Sequence, residues 1–300
     1  MERVKIPLSK SPPTEVSTLQ LRGKRLPIGS HTYLMGILNV TPDSFSDGGK
    51  YLKAKDAIRR LEVLIESGAD IIDVGGESTR PGAPSVSLDE EIDRILPVLE
   101  AWKRKKRDTI LSIDTSKSKI AEIALTHGAS LVNDVTAMKG DSRMAEVVAH
   151  YEAGVVLMHM QGTPRTMQQN PTYQDIVSEI SRFFEERMKE AIRSGIREEA
   201  IVLDPGIGFG KKTSHNVEIL RRLRDFQRLG RPLLVGPSRK SFIGEILDLP
   251  VEKRLLGTAA AVALSILNGA DMLRVHDVTE MKQVAKIADA IQRSDCEGRE

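Results

Sequence analysis

Asp114, Asn133, Asp204 and Lys240 together offer what the edge of a flat, nitrogen-rich heterocycle needs. A carboxylate can accept two parallel bonds from a guanidine-like edge, and an ammonium can meet a ring carbonyl or nitrogen on the opposite side. A second set has a different chemistry: Asn39, Arg80, Arg274 and His276, with Thr79 nearby. Two guanidinium forks, an imidazole able to take a proton and neutral donors suit a pyrophosphate better than a carboxylate. Arg80 sits in Gly75-Gly76-Glu77-Ser78-Thr79-Arg80-Pro81-Gly82, a loop rich in residues with special backbone preferences, which favours a positioned charge over a solvated one. Taken singly, any of these acids could be a helix cap or half of a structural ion pair. Their position argues against that for the set. Asn39, Asp73, Asp114, Asn133, His159, Asp204, Ser238 with Lys240, and Arg274 with His276 all fall where a short apolar run stops.

Those runs are Tyr33–Leu38, Ile71–Val74, Ile110–Ile113, Leu131–Val132, Gly154–Met158, Ile201–Leu203, Pro232–Val235 and Met272–Val275. Each is a near-continuous aliphatic stretch, the pattern of parallel strands covered on both faces. Between them lie segments of helical spacing. Ser87 with Glu90 predicts a capping box ahead of Leu88, Ile92, Ile95 and Leu99, and Pro97 predicts a kink. Ile176, Ile180, Phe183, Phe184 and Met188 form one apolar stripe, and Met281, Val284, Ile287, Ala288 and Ile291 another. Eight strand–helix pairs predict a closed (β/α)8 TIM barrel, with a doubly wound open sheet as the alternative. In the barrel, eight strand ends share one face, where active sites are built. Thr18–Gly29 predicts a small β-hairpin ahead of the barrel. The expected organisation is a flexible N-terminal segment 1–17, the barrel 18–292 and a flexible tail 293–300.

Composition narrows the partners. The chain of 300 residues is 40% hydrophobic and 29% charged, with a formal net charge of +2, so no nucleic-acid track or anionic membrane surface is indicated. The lone cysteine, Cys296, excludes an intramolecular disulfide, which fits a reducing cytoplasm. No signal-like apolar core opens the chain, and the longest apolar run, Ala259–Leu267, is too short to span a bilayer. Gly206-Ile207-Gly208-Phe209-Gly210-Lys211 fails the dinucleotide spacing, is one residue short of a P-loop, and has Lys212 where Ser or Thr is required. No histidine pair has zinc-enzyme spacing, and no serine occupies a nucleophile elbow.

The segment Met35-Gly36-Ile37-Leu38-Asn39-Val40-Thr41-Pro42-Asp43-Ser44-Phe45-Ser46-Asp47-Gly48-Gly49 resembles the first signature of the dihydropteroate synthases. Asp73-Val74-Gly75-Gly76-Glu77-Ser78-Thr79-Arg80-Pro81-Gly82-Ala83 resembles the second. Ser112–Thr115, Asn133–Val135, Met158–Gly162, Asp204–Lys211, Gly236–Phe242 and Arg274–Asp277 match in order, so the resemblance covers about residues 18–292. It implies a barrel, a homodimer and an enzyme of folate biosynthesis that joins 6-hydroxymethyl-7,8-dihydropterin pyrophosphate to p-aminobenzoate. By resemblance, Asp114, Asn133, Asp204 and Lys240 hold the pterin, with Met158 and Phe209 against its faces. Asn39, Thr79, Arg80, Arg274 and His276 handle pyrophosphate, with Asn39 near a magnesium ion. Phe45, Pro81, Ser238 and Lys240 shape the p-aminobenzoate site, which sulfonamides would contest.

Asp47, Arg80 and Lys240 are the expected catalytic residues. An arylamine is a weak nucleophile, so the expected route loses pyrophosphate first and leaves a pterin methylene cation for the amine. Asp47 would stabilise that cation, while loops 41–50 and 79–84 exclude water. A methyltetrahydrofolate-dependent methyltransferase, built on a related pterin-binding barrel, would need no pyrophosphate clamp. A catalytically idle barrel would have no use for Asp47, Arg80 and Lys240 together.

Overall fold

The structure is a computed structural model that describes residues 18–41, 50–79, 82–104 and 108–293. The expected flexible segments at either end lie almost wholly outside that range. Eight parallel strands make the frame: β3 (Tyr33–Asn39), β4 (Ile71–Gly75), β5 (Ile110–Asp114), β6 (Leu131–Asp134), β7 (Gly154–Met158), β8 (Ile201–Asp204), β9 (Leu234–Val235) and β10 (Met272–Val275). They pair in the order β8-β7-β6-β5-β4-β3-β10-β9, and a parallel bridge between Leu203 and Leu233 closes the ring. This is the (β/α)8 barrel, not the open sheet. Strand β9 is shorter than the expected Pro232–Val235. Pro232 has no N–H to give, and the Leu233 N–H goes to the Asp271 carboxylate at 2.9 Å instead of to a neighbouring strand.

The pleat sorts each strand into two faces. Leu34, Leu38, Ile72, Val74, Leu111, Ile113, Val132, Val155, Leu157, Leu203, Val235, Leu273 and Val275 point outward into the layer shared with the helices. Tyr33, Met35, Ile71, Ile110, Leu131, Val156, Val202, Leu234 and Met272 fill the inside at the N-terminal end. That filling is completed by the antiparallel hairpin of β1 (Thr18–Leu21) and β2 (Lys24–Pro27), whose Leu19, Leu21 and Leu26 join the same cluster. Leu21 packs where β7 begins with Gly154, at which any Cβ would overlap the Leu21 side chain. Lys24 Nζ donates to the carbonyls of Asp108 and Thr109, and Tyr33 Oη to that of Pro27, so the hairpin is tied across the barrel floor.

Nine helices surround the strands among the described residues: α1 (Lys50–Glu66), α2 (Leu88–Lys103), α3 (Ser118–Thr126), α4 (Met144–His150), α5 (Ile176–Arg193), α6 (Thr213–Arg221), α7 (Ser241–Leu247), α8 (Leu255–Leu267) and α9 (Val278–Arg293). At the start of α2, Ser87 Oγ accepts the Glu90 N–H at 3.2 Å, but the Glu90 carboxylate turns to Arg94 at 2.5 Å. The expected capping box is therefore half made, because an arginine one turn on competes for the acid. Helix α2 runs through Pro97 without ending there. The α9 stripe also differs from expectation. Val278, Met281, Ala285 and Ala288 are its buried face, whereas Ile287 and Ile291 are 64% and 67% exposed. Bulky aliphatics lie on two sides of this helix, and small alanines fit the tight seat against the barrel.

Candidate active site

One pleat beyond the apolar floor, the inward positions change character: Asp73, Ser112, Asn133, Met158, Asp204 and Arg274, followed by Asp114 and Asn39 at the strand ends. The same period of two that builds the floor thus builds a polar chamber above it. Arg274 on β10 reaches across the barrel with both arms. Its Nε donates to Asp73 Oδ2 and its Nη2 to Asp114 Oδ2, each at 2.7 Å. Asn133 Nδ2 adds a bond to Asp73 Oδ2 at 2.9 Å, and Ser112 Oγ one to Asp73 Oδ1 at 2.6 Å. Asp73, Asp114 and Asn133 are all buried.

Two carboxylates share one guanidinium here, so the cluster is short of positive charge. Burial first, offset by Arg274 and reinforced by Asp73 alongside, pushes the Asp114 carboxyl up to about 7. Burial also raises Asp204, against the opposing pull of the Gly206 N–H, Lys240, Lys211 and Arg274. Asp204 therefore feels cations from three elements, and Lys240 lies 4.2 Å above the Phe209 ring centre in a cation–π contact. Met158, also buried, borders the same space.

Ser238 and His276 meet at the mouth: Ser238 Oγ lies 3.0 Å from His276 Nδ1 and accepts the His276 N–H at 3.2 Å. Burial, with the nearby Arg274 and Arg239 charges, drives His276 down to about 3. That shift favours the neutral imidazole over the protonated form that the sequence allows. Arg239, in the left-handed region at φ 57°, forms a two-armed pair with Asp277 at 2.9 and 2.5 Å. Together with the Thr258 hydroxyl accepting its N–H, this fixes the turn that aims Lys240.

The structure thus gathers Asp114, Asn133, Met158, Asp204, Phe209, Ser238, Lys240, Arg274 and His276 at the C-terminal end of the barrel, with Asn39 at the end of β3 and Thr79 in the β4–α2 loop. Phe45, Asp47, Arg80 and Pro81 lie outside the described residues. In this structure Arg274, expected to handle pyrophosphate, bonds the carboxylates of Asp73 and Asp114. Asp73, which takes the arginine's Nε bond, stands out in the sequence only as one of the polar strand ends, and Ser112, which donates to Asp73, only within a motif. The signal was available: in β4 and β5 they occupy the same alternate positions as Ile71 and Ile110, which line the floor. The root of the β4–α2 loop is also pinned. Lys117 Nζ bonds Glu77 and Glu91 at 2.6 and 2.5 Å and the Val86 carbonyl at 2.9 Å.

A ring of eight strand ends with acids facing cations defines a barrel enzyme for a polar, planar substrate. The family described as pterin binding enzyme matches residues 35–276, and the chain belongs to it. The dihydropteroate synthase of Synechocystis sp. is 48% identical over 266 residues, 88% of this chain and 92% of that one. A Yersinia pestis dihydropteroate synthase solved with a sulfonamide drug superposes with a TM-score of 0.87 at 41% identity, covering 92% and 100% of the two chains. The Xanthomonas albilineans enzyme in complex with 7,8-dihydropteroate gives a TM-score of 0.83 at 38% identity, covering 92% and 99%. Within the family, then, this chain groups with the dihydropteroate synthases, transferases of folate synthesis.

Proposed function

We propose that the mouth of this barrel joins 6-hydroxymethyl-7,8-dihydropterin pyrophosphate to p-aminobenzoate, and that pyrophosphate departs before the amine attacks. The observation that carries this reading is the buried polar set of Asp114, Asn133 and Asp204 gathered with Lys240 and Arg274 at the strand ends. A pterin edge donating N–H bonds to Asp204 would gain charge-assisted bonds in a buried setting. Lys240, seated over Phe209, would take the opposite edge, and Met158 with Phe209 would border the ring faces. His276, with Thr79, Arg80 and Arg274, would receive the phosphate oxygens. Phe45 and Pro81 with Ser238 would flank the benzoate ring, and Asp47 would stabilise the methylene cation.

Among the described residues no group of three acidic, histidine or cysteine side chains could cage a metal. That suits magnesium, which keeps its waters and binds mainly through substrate phosphates. Asn39 is the residue that would hold it, and its chemistry there would be to neutralise charge on the departing pyrophosphate. Each proton and bond is otherwise accounted for: the C–O bond to pyrophosphate breaks, the amine nitrogen forms the C–N bond, and the amine proton passes to solvent.

We also read the protein as a cytoplasmic homodimer, a sulfonamide target, with no nucleic-acid or membrane partner. No helix of the described residues is long and apolar enough to cross a membrane. Support for a second copy comes from exposed aliphatics on adjacent helices: Ile246 and Leu247 on α7, Leu256 and Leu264 on α8, Ile287 and Ile291 on α9.

The order of steps is tested with pterin pyrophosphate carrying 18O in the bridging position. Scrambling of the label into non-bridging positions on the enzyme, with magnesium and before amine is added, is the expected result. Turnover with amine but no scrambling under any amine concentration would exclude departure first.

A further inference from the structure

Lys211 ends the loop that runs from β8 to α6, and it is only 3% exposed. Its Nζ meets three acceptors: the Phe209 carbonyl at 2.8 Å, the His159 carbonyl at 3.2 Å and His159 Nδ1 at 3.1 Å. An ammonium has three N–H donors and a neutral amine two, so only the charged form satisfies all three. The partner ring is suited to accept. Burial and the adjacent Lys211 charge drive His159 down to about 2, so the ring is neutral, and because an ammonium can only donate, Nδ1 accepts and the proton sits on Nε2.

The two loops joined by this ammonium touch at the limit of backbone contact. Gly206 has φ +69° and any Cβ there would overlap the His159 carbonyl, while a Cβ on Gly210 would lie 2.6 Å from the Gln161 carbonyl. Further out, Tyr173 Oη bonds the Gly210 carbonyl at 2.8 Å and Gln168 Nε2 the Gly208 carbonyl at 2.9 Å. What this layer supports is the pocket wall. Gly206 gives its N–H to Asp204 Oδ1 at 2.7 Å, and the Phe209 ring lies under Lys240. Burial draws the Lys211 pKa down to about 7 and Lys240 adds to that, while Asp204 holds it up and the three acceptors favour the charged form.

We propose that Lys211 is a positioning residue for the pterin site: from behind the wall, its ammonium clamps the β7–α5 and β8–α6 loops together and so presets Asp204 and the Phe209 ring for the ligand. The inference rests on the pterin reading of the cavity and adds to it a residue that touches no substrate.

Lys211→Met, His159→Leu and His159→Asn separate alignment from mere folding. The Asn side-chain oxygen can stand near the Nδ1 position and keep one acceptor, whereas Leu removes it. Titration calorimetry with pterin pyrophosphate, corrected for folded fraction, reads the affinity, and steady-state assays separate KM from kcat. Lys211→Met and His159→Leu are expected to weaken pterin binding about 10-fold, the scale of one lost hydrogen bond, with kcat at saturation within about 3-fold of wild type. His159→Asn is expected to stay within about 3-fold on both measures. Wild-type affinity in the folded Lys211→Met and His159→Leu proteins, or equal loss in His159→Asn and His159→Leu, overturns the clamp. If Lys211→Met does not fold, the histidine pair decides alone. Asp204→Asn, run alongside, keeps the two ideas apart: if it also binds pterin normally, the pocket reading itself has failed.

Discussion

Arg274 is the residue on which the chamber's electrostatics turn, because Asp73 and Asp114 both rely on its guanidinium. Replacing it by Met leaves two buried carboxylates uncompensated, a change that typically costs about 3–5 kcal/mol at neutral pH. The pH dependence has a definite sign. Asp114 already has a raised pKa in the folded protein, so its ionisation opposes folding increasingly as pH climbs from about 4 toward 7. Without Arg274 that opposition grows. The melting-temperature gap between wild type and Arg274→Met should be widest above pH 7 and narrow as pH falls toward 5, as measured by scanning calorimetry. A gap independent of pH would contradict the shared-charge account. Asp204→Asn makes a functional test at the same scale. It keeps the volume but turns one acceptor into a donor facing the pterin N–H groups. Pterin affinity should fall at least about 100-fold, or ~2.7 kcal/mol, and a change under about 5-fold would remove Asp204 from the ligand's edge.

The hairpin and the strands explain what could and could not be read in advance. Leu21 fills the space left by Gly154, so Gly154→Ala should overpack the floor and cost about 1–3 kcal/mol. Leu21→Val alone should cost about 1 kcal/mol, and the double variant should be more stable than the sum of the two, since the smaller side chain makes room. Denaturant melts of all four proteins test this, and simple additivity would show that Leu21 and Gly154 do not share the space. The strands were legible in sequence because outward-facing residues such as Leu34, Ile72 and Leu273 are all aliphatic, and the polar strand ends mark the active face. What Asp73 and Ser112 bond was hidden by the same aliphatic surroundings, because a polar residue inside an apolar run shows its facing only when the register of the whole ring is known. Glu90 escaped the capping box because its competitor Arg94 is a matter of side-chain reach. The neutrality of His276 depends on burial, which no local spacing encodes. The α9 stripe misled for a related reason: periodicity counts apolar residues without saying which neighbour covers each face.

For the whole molecule, that uncovered face makes its own prediction. Leu256 is 82% exposed and Leu264 56%, beside Ile287 and Ile291 on the next helix. If a second copy covers them, Leu256→Glu with Leu264→Glu should halve the mass seen by sedimentation equilibrium while circular dichroism stays unchanged. A wild-type protein that sediments as a monomer at micromolar concentration would dismiss the pairing. At the opposite extreme of the architecture, the hairpin and the inward apolar side chains of the strands stopper the N-terminal end of the barrel. On the proposed reading, the pterin would dock against Asp114 and Asp204 first and p-aminobenzoate above it, and pyrophosphate would leave before the joined product. The ten residues Thr18–Pro27 at one end of the chain therefore help to leave the opposite end of the barrel as the side of approach.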